Sequence, residues 1–152
     1  NNINNIMNEL SITKVEKSSF EVIEAINSLL SQLVTSRHIY FSEYELNKII
    51  SSESSDIFLL YNEKNIVGMF TLGNYITPTG RKYWLEDVVV DKEFRGKSLG
   101  RKLVHEAIKL VSSNGKSTLM LTSKPSRVAA NRLYISSGFQ LKETNVYKMD
   151  FE

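Results

Sequence analysis

The chain has 152 residues, 41% hydrophobic and 24% charged, with a formal net charge of +2. These are globular values for one domain, and no apolar run approaches the length of a membrane span. The absence of cysteine excludes disulfides, thiolate metal sites and a cysteine nucleophile, and two histidines, His38 and His105, argue against a histidine-rich metal centre.

The first ten residues are Asn-rich and lack the basic start and apolar core of a signal peptide. A mobile segment over 1–10, a single domain over 11–152 and a cytoplasmic location are therefore expected. Residues 11–15 read as a first strand. Ser18-x-x-Glu21 has the form of a capping box ahead of the apolar positions Ile23, Ile26, Leu29, Leu30 and Leu33, which predict a first helix. A second, shorter helix over 42–50 is capped by Ser42, and the polar run 51–55 interrupts the pattern. Two strands, 57–61 and 66–72, flank the hairpin-length turn 62–65, and 74–81, with Pro78 and Gly80, reads as a loop. Residues 83–90 make the longest strand. Leu99, Leu103, Val104, Ala107, Ile108 and Val111 form the stripe of a helix packed on a sheet, stopped by Asn114-Gly115. A short strand over 118–121, a helix opened by Pro125 or Ser126 and ended by Gly138, and two strands over 139–141 and 146–151 complete the chain.

The junction between the longest strand and the helix after it is basic and glycine-bearing. Lys92, Arg95, Lys97, Arg101 and Lys102 stand against one acid, Glu93, while Gly96 and Gly100 permit sharp turning. A helix start there leaves its first amides unpaired and suits an anion. A Walker A loop requires glycine where Asp91 stands, and the dinucleotide fingerprint requires three glycines where two are present, so neither fits. The basic residues concentrate in this turn instead of interleaving with aromatics, which argues against nucleic acid as a partner.

Arg95-Gly96-Lys97-Ser98-Leu99-Gly100, after Leu85-Glu86-Asp87-Val88-Val89-Val90, resembles the acetyl-CoA motif of the GNAT superfamily of N-acetyltransferases, Arg/Gln-x-x-Gly-x-Gly/Ala. Ser98 departs from it, standing where glycine is usual. Ser126 to Tyr134 followed by Gly138-Phe139 is similar to the family's helix ending in Leu-Tyr-x-x-x-Gly-Phe. The resemblance covers residues 57–151 and implies a mixed, mostly antiparallel sheet of six to seven strands with helices on both faces.

It further implies transfer of an acetyl group from acetyl-CoA directly to a primary amine, without a metal. The pantetheine arm would lie along Val88, Val89 and Val90, and the pyrophosphate on Arg95, Gly96, Lys97, Ser98, Leu99, Gly100 and Arg101. Ser98 has two readings: a residue strained by positive φ at a cost of about 1 to 2 kcal/mol, or an N-cap, which is favoured here. Tyr134 is the candidate general acid. With reference pKa values near 10 for a phenol and about 8.5 for a thiol, full donation is uphill by about 2 kcal/mol, so a hydrogen bond to the emerging thiolate suffices.

Glu86 is the candidate base. Direct transfer from an amine near 10.4 to a carboxylate near 4.3 is uphill by about 8 kcal/mol, leaving a water relay or simple positioning of the amine as alternatives. Strand alternation sends Asp87 to the opposite face. The family often has asparagine seven residues before the tyrosine, where this chain has Arg127; Asn131, three before it, is a candidate cofactor contact. Acceptor candidates are His38, Ile39, Tyr40, Phe41, Glu43, Glu45, Tyr75, Tyr83 and Trp84, whose acids and aromatics suit a cationic amine. Acceptor identity and a homodimer stay open, with a non-catalytic acyl-CoA sensor as the alternative function.

Overall fold

The computed structural model describes residues 9–152. Residues 1–8, most of the segment expected to be mobile, lie outside the described residues; Leu10 already belongs to a strand. The chain forms two compact units, one up to Thr122 and one from Ser123 to Glu152.

The first unit contains β1 (Leu10–Lys14), α1 (Phe20–Leu33), α2 (Glu43–Ile50), β2 (Ser55–Asn62), β3 (Asn65–Thr77), β4 (Gly80–Val90), α3 (Leu99–Ser112) and β5 (Thr118–Met120). The strands form one sheet in the order β1-β2-β3-β4-β5, antiparallel except for the parallel β4–β5 pair. The mixed, mostly antiparallel character is as expected. The count differs: among the described residues the sheet has five strands, and the segments 139–141 and 146–151 do not form the two further strands expected. Alternating apolar residues specify which face of a strand is apolar, but not which backbone will pair with it.

Both sheet faces are covered in this unit, which is why β2 reads as a continuous apolar run. Ile57 and Leu59 join Met69, Val89, Ile26, Leu29 and Leu46 in the core shared with α1 and α2. Phe58 stacks on Phe70 at 4.9 Å between ring centroids, and Leu60 and Leu103 of α3 converge on Gly68 from the other side. Leu99, Leu103, Val104, Ala107 and Val111, the predicted stripe of α3 apart from the half-buried Ile108, are buried.

Two local corrections have simple causes. The cap of α1 is Ser19, whose side chain accepts from Val22 N; Glu21 is then the second helical residue and cannot close a box. Ser18 Oγ donates instead to Glu43 Oε1 at 2.9 Å. Ser42 and Glu45 do form a complete capping box. The predicted loop 74–81 is a hairpin closed by Pro78 and Thr79, with pairs from Asn74↔Tyr83 to Thr77↔Gly80. Arg81 donates to Asn74 Oδ1 and Trp84 Nε1 to Tyr75 Oη, bonds that extend the ladder beyond its apolar part.

The second unit contains α4 (Val128–Ser136), which starts later than Pro125 or Ser126 because residues 124–127 form a turn. Phe139 N donates to Tyr134 O, and the Phe139 ring meets Tyr134 edge-on at 6.0 Å.

Candidate functional site

β4 is paired with β3 along most of its length, but with β5 only at Lys82↔Thr118, Tyr83↔Leu119 and Trp84↔Met120. Within this unit, among the described residues, β5 pairs with β4 no further than Trp84, so residues 85–90 present backbone groups along an open flank. A linear amide such as pantetheine can satisfy them by adding to that edge as a strand would. Val88 and Val90 are half-buried and Val89 is buried in the core, which holds the flank rigid.

A β-bulge lies in this stretch. Glu86 pairs with Thr71 and Val89 with Met69, so β4 carries one residue more than β3 between them. Asp87 takes φ 52°, an uncommon conformation for a residue with a side chain, and Thr71 Oγ1 donates to its carboxylate at 3.4 Å. The expected opposition of Glu86 and Asp87 is thereby overturned. Both are exposed, and Asp87 bonds to the residue cross-strand from Glu86. The bulge also rephases the strand, so that Leu85 pairs with Leu72 while Val89 faces the α1–α2 core with Met69.

The chain leaves β4 through a braced turn. Asp91 N donates to Val67 O, Asp91 Oδ1 accepts from Glu93 N, and residues Lys92–Phe94 form one 3-10 turn. Arg95 Nε donates to Val90 O at 3.1 Å, so its guanidinium ties the turn to the strand end, and Lys97 sits 5.4 Å from the Phe94 ring centre. Gly96 has φ 82°, where any other residue would be strained. Ser98 at the start of α3 is left-handed (φ 59°, ψ 23°) and its side chain makes no cap bond. The favoured cap reading is therefore not realised. Ser98 thus leaves the positive end of α3 without a side-chain cap of its own, beside a cluster of cations, which suits phosphate oxygens.

Several parts of this arrangement escaped the sequence reading. Gln32 of α1 accepts from Lys92 N at 2.8 Å and joins that helix to the turn. Asn27 mimics a backbone pair, with Oδ1 accepting from Phe41 N and Nδ2 donating to Phe41 O. Both are polar residues beside the apolar stripe of α1, the sole signal available.

Of the acceptor candidates, Tyr83 is buried and belongs to the core, while Tyr40 and Tyr75 are exposed and Phe41 packs against the α1–α2 core. In the second unit, burial raises the Tyr134 phenol above its ordinary value, opposed by the charge of Arg127. Asn131 Nδ2 donates to Lys124 O and Arg127 O, both at 2.9 Å, and braces the start of α4; only its Oδ1 is left for a ligand.

The model of the acetyltransferase (GNAT) family matches residues 23–139. The chain belongs to that family. Among known proteins it is similar to streptothricin acetyltransferase A of Bacillus subtilis (strain 168), 28% identical over 109 residues, covering 66% of this chain and 58% of that protein. The matched region thus spans less than two thirds of that relative's length. Among solved structures, an aminoglycoside acetyltransferase from an uncultured soil metagenomic sample, in complex with trehalose, superposes with a TM-score of 0.83 at 17% identity, over 97% of this chain and 99% of that one. Glucosamine-6-phosphate N-acetyltransferase from Arabidopsis thaliana gives 0.75 at 25% identity, over 93% and 98%. The GNAT family uses acetyl-CoA. Among the described residues no helix is long and apolar enough to cross a membrane, and no group of three or more His, Asp or Glu side chains is placed to hold a metal.

Proposed function

We propose that this protein is an acetyl-CoA-dependent N-acetyltransferase that moves the acetyl group directly to a primary amine of a small molecule or peptide. The observation that carries the reading is the open flank of β4 running into a cationic turn at the start of α3, where Ser98 makes no cap bond. The flank suits the amides of pantetheine, and the turn suits the pyrophosphate. The neutral amine attacks the thioester carbonyl, the C–N bond forms as the C–S bond breaks, and the departing thiolate needs a hydrogen-bond donor. Tyr134 takes that role. Its phenol is held protonated across neutral pH, and a hydrogen bond, without complete transfer, lowers the barrier. Glu86, exposed on the bulged strand, suits positioning of a cationic amine or of the water that accepts its proton.

The relatives bring streptothricin, aminoglycosides and amino-sugar phosphates forward as acceptors to try first. The test is acetyl-CoA binding by calorimetry, followed by a free-thiol release screen over these amines, polyamines, amino acids and peptides. Binding with release for one class is expected. Binding without release for any amine favours a sensor, and no binding ends both readings. Tyr134→Phe should lower kcat by about a hundredfold with acetyl-CoA binding retained. Because the protonated phenol is the active form and burial raises its pKa, wild-type activity should persist up to about pH 10 and fall above it. That alkaline limb should vanish in Tyr134→Phe. Equal turnover in the two proteins would remove Tyr134 from the chemistry.

A further inference from the structure

The half of the β3–β4 pair nearer the hairpin tip carries a recess that the core does not fill. Thr71 pairs with Ile57 of the α1–α2 core, so Thr71, Gly73 and Tyr75 of β3 face that side of the sheet, and across from them stand Glu86, Trp84 and Lys82 of β4. Gly73 is the floor. A Cβ built there would meet only two backbone oxygens among the described residues, Ser54 O at 3.9 Å and Trp84 O at 4.0 Å. An aromatic ring opposite a glycine can lie over it and cover it. Here Trp84 Nε1 donates to Tyr75 Oη at 3.1 Å, across a diagonal of the ladder, and this bond holds the indole aside as one wall of the recess. At the other end Glu86 and Asp87 are exposed, with Asp87 held by Thr71 Oγ1 at 3.4 Å.

Each group on the rim leaves one kind of contact free. The indole N–H is taken up by Tyr75, so Trp84 offers its ring face, while Tyr75 Oη accepts that bond and keeps its own hydrogen to donate. The two carboxylates suit an ammonium or a hydroxyl. Lys82, on the same face, is turned to the hairpin tip, where its Nζ donates to Thr79 Oγ1 at 2.7 Å, so its charge lies away from them. Trp84 and Glu86 stand two residues apart, about 7 Å along the strand, which is the span of a sugar-sized ring with an amino substituent. A linear amine reaches Glu86 without touching the indole. We propose that Trp84, with Tyr75 and the gap at Gly73, determines acceptor specificity by selecting an amine carried on a saturated, hydroxylated ring, as in an amino sugar, over an amine on a linear chain. The ring lies over Gly73 with its C–H face on the indole and its amine at Glu86. This rests on the acetyltransferase reading above, in which Glu86 positions the amine.

Trp84 is the single tryptophan of the chain, so its fluorescence reports on this recess without any turnover. Kanamycin and glucosamine, as ring-borne amines, should change that emission saturably, and spermidine, a linear amine, should not. In the thiol-release assay, Trp84→Ala should lower kcat/KM for the ring amines about tenfold more than for spermidine, chiefly through KM and with acetyl-CoA affinity retained, and Trp84→Phe should restore most of the loss. Gly73→Val fills the recess and leaves both aromatic rings in place; it should abolish the fluorescence response with the circular dichroism spectrum unchanged. An emission that neither ring amine moves overturns the proposal, and so does an equal loss for ring and linear acceptors in Trp84→Ala. A response that survives in Gly73→Val overturns it as well. The two readings fail separately: a saturable response to ring amines without thiol release from any amine supports the recess and defeats the acetyltransferase reading, whereas thiol release with no response defeats the recess alone.

Discussion

Ser98 is the residue at which the local physics is most exposed. Its left-handed backbone opens α3 at the end of the basic turn, and a side chain in that conformation costs about 1 to 2 kcal/mol. Serine is also the sort of residue that caps a helix, and from spacing alone the cap was the better reading. What decides against it is that Gly96 and Ser98 both take positive φ within three residues, so the chain turns too tightly for the hydroxyl to reach a first-turn amide. Ser98→Gly should relieve that strain and lose part of the gain to a more flexible unfolded chain, for a net stabilisation of about 0.5 to 1 kcal/mol. Thermal denaturation should show a rise in Tm of about 2 °C. Acetyl-CoA affinity should stay within tenfold, because the backbone amides keep their direction. A lower Tm would mean that the serine hydroxyl holds the turn in a way the hydrogen bonds do not reveal.

At the scale of elements, α3 and the β3–β4 pair meet at Gly68. A Cβ there would lie 3.0 Å from Val89 O, 3.2 Å from Leu103 Cδ1 and 3.4 Å from Leu60 Cδ2. The nearest neighbour is backbone of the strand that bears the open flank, and it cannot give way as a side-chain end can. Gly68→Ala should cost about 1 to 3 kcal/mol by urea denaturation and weaken acetyl-CoA binding by shifting β4. Gly73→Ala is the control, since its nearest neighbours are 3.9 and 4.0 Å away and it should be close to neutral. Equal costs for the two would mean that Gly68 reflects strand propensity and not close packing. The elements themselves were largely legible: the apolar periods of α1 and α3 and the Ser42 cap stand at their predicted places. The bulge at Asp87 was not, because a strand pattern read at a period of two has no symbol for an extra residue. The hairpin tip at Pro78 was misread because its strands lack the apolar alternation and are held by cross-strand polar bonds.

For the molecule as a whole, the basic turn between β4 and α3 was legible because its charges and glycines are contiguous, while the braces from Gln32 and Asn27 depend on contacts across 60 and 14 residues. The distribution of charge leads to a further expectation. The net charge is only +2, yet five cations against one acid lie between Lys92 and Lys102, so the positive field is local to the proposed phosphate site. Such exposed charges act through water and are screened, with a Debye length of about 10 Å at 0.1 M salt and about 3 Å at 1 M. A few exposed contacts worth about 0.2 to 1 kcal/mol each would together lose about 1.4 kcal/mol. Acetyl-CoA Kd by calorimetry should therefore rise about tenfold between 0.05 and 0.5 M potassium chloride, whereas binding of acetyl-pantetheine, which lacks the phosphates, should hardly change. A Kd for acetyl-CoA that is indifferent to salt would place the phosphates away from this turn, even if the protein proves to be an acetyltransferase. Steepening of the acetyl-pantetheine curve to match would instead trace the effect to the fold and not to the ligand's charge.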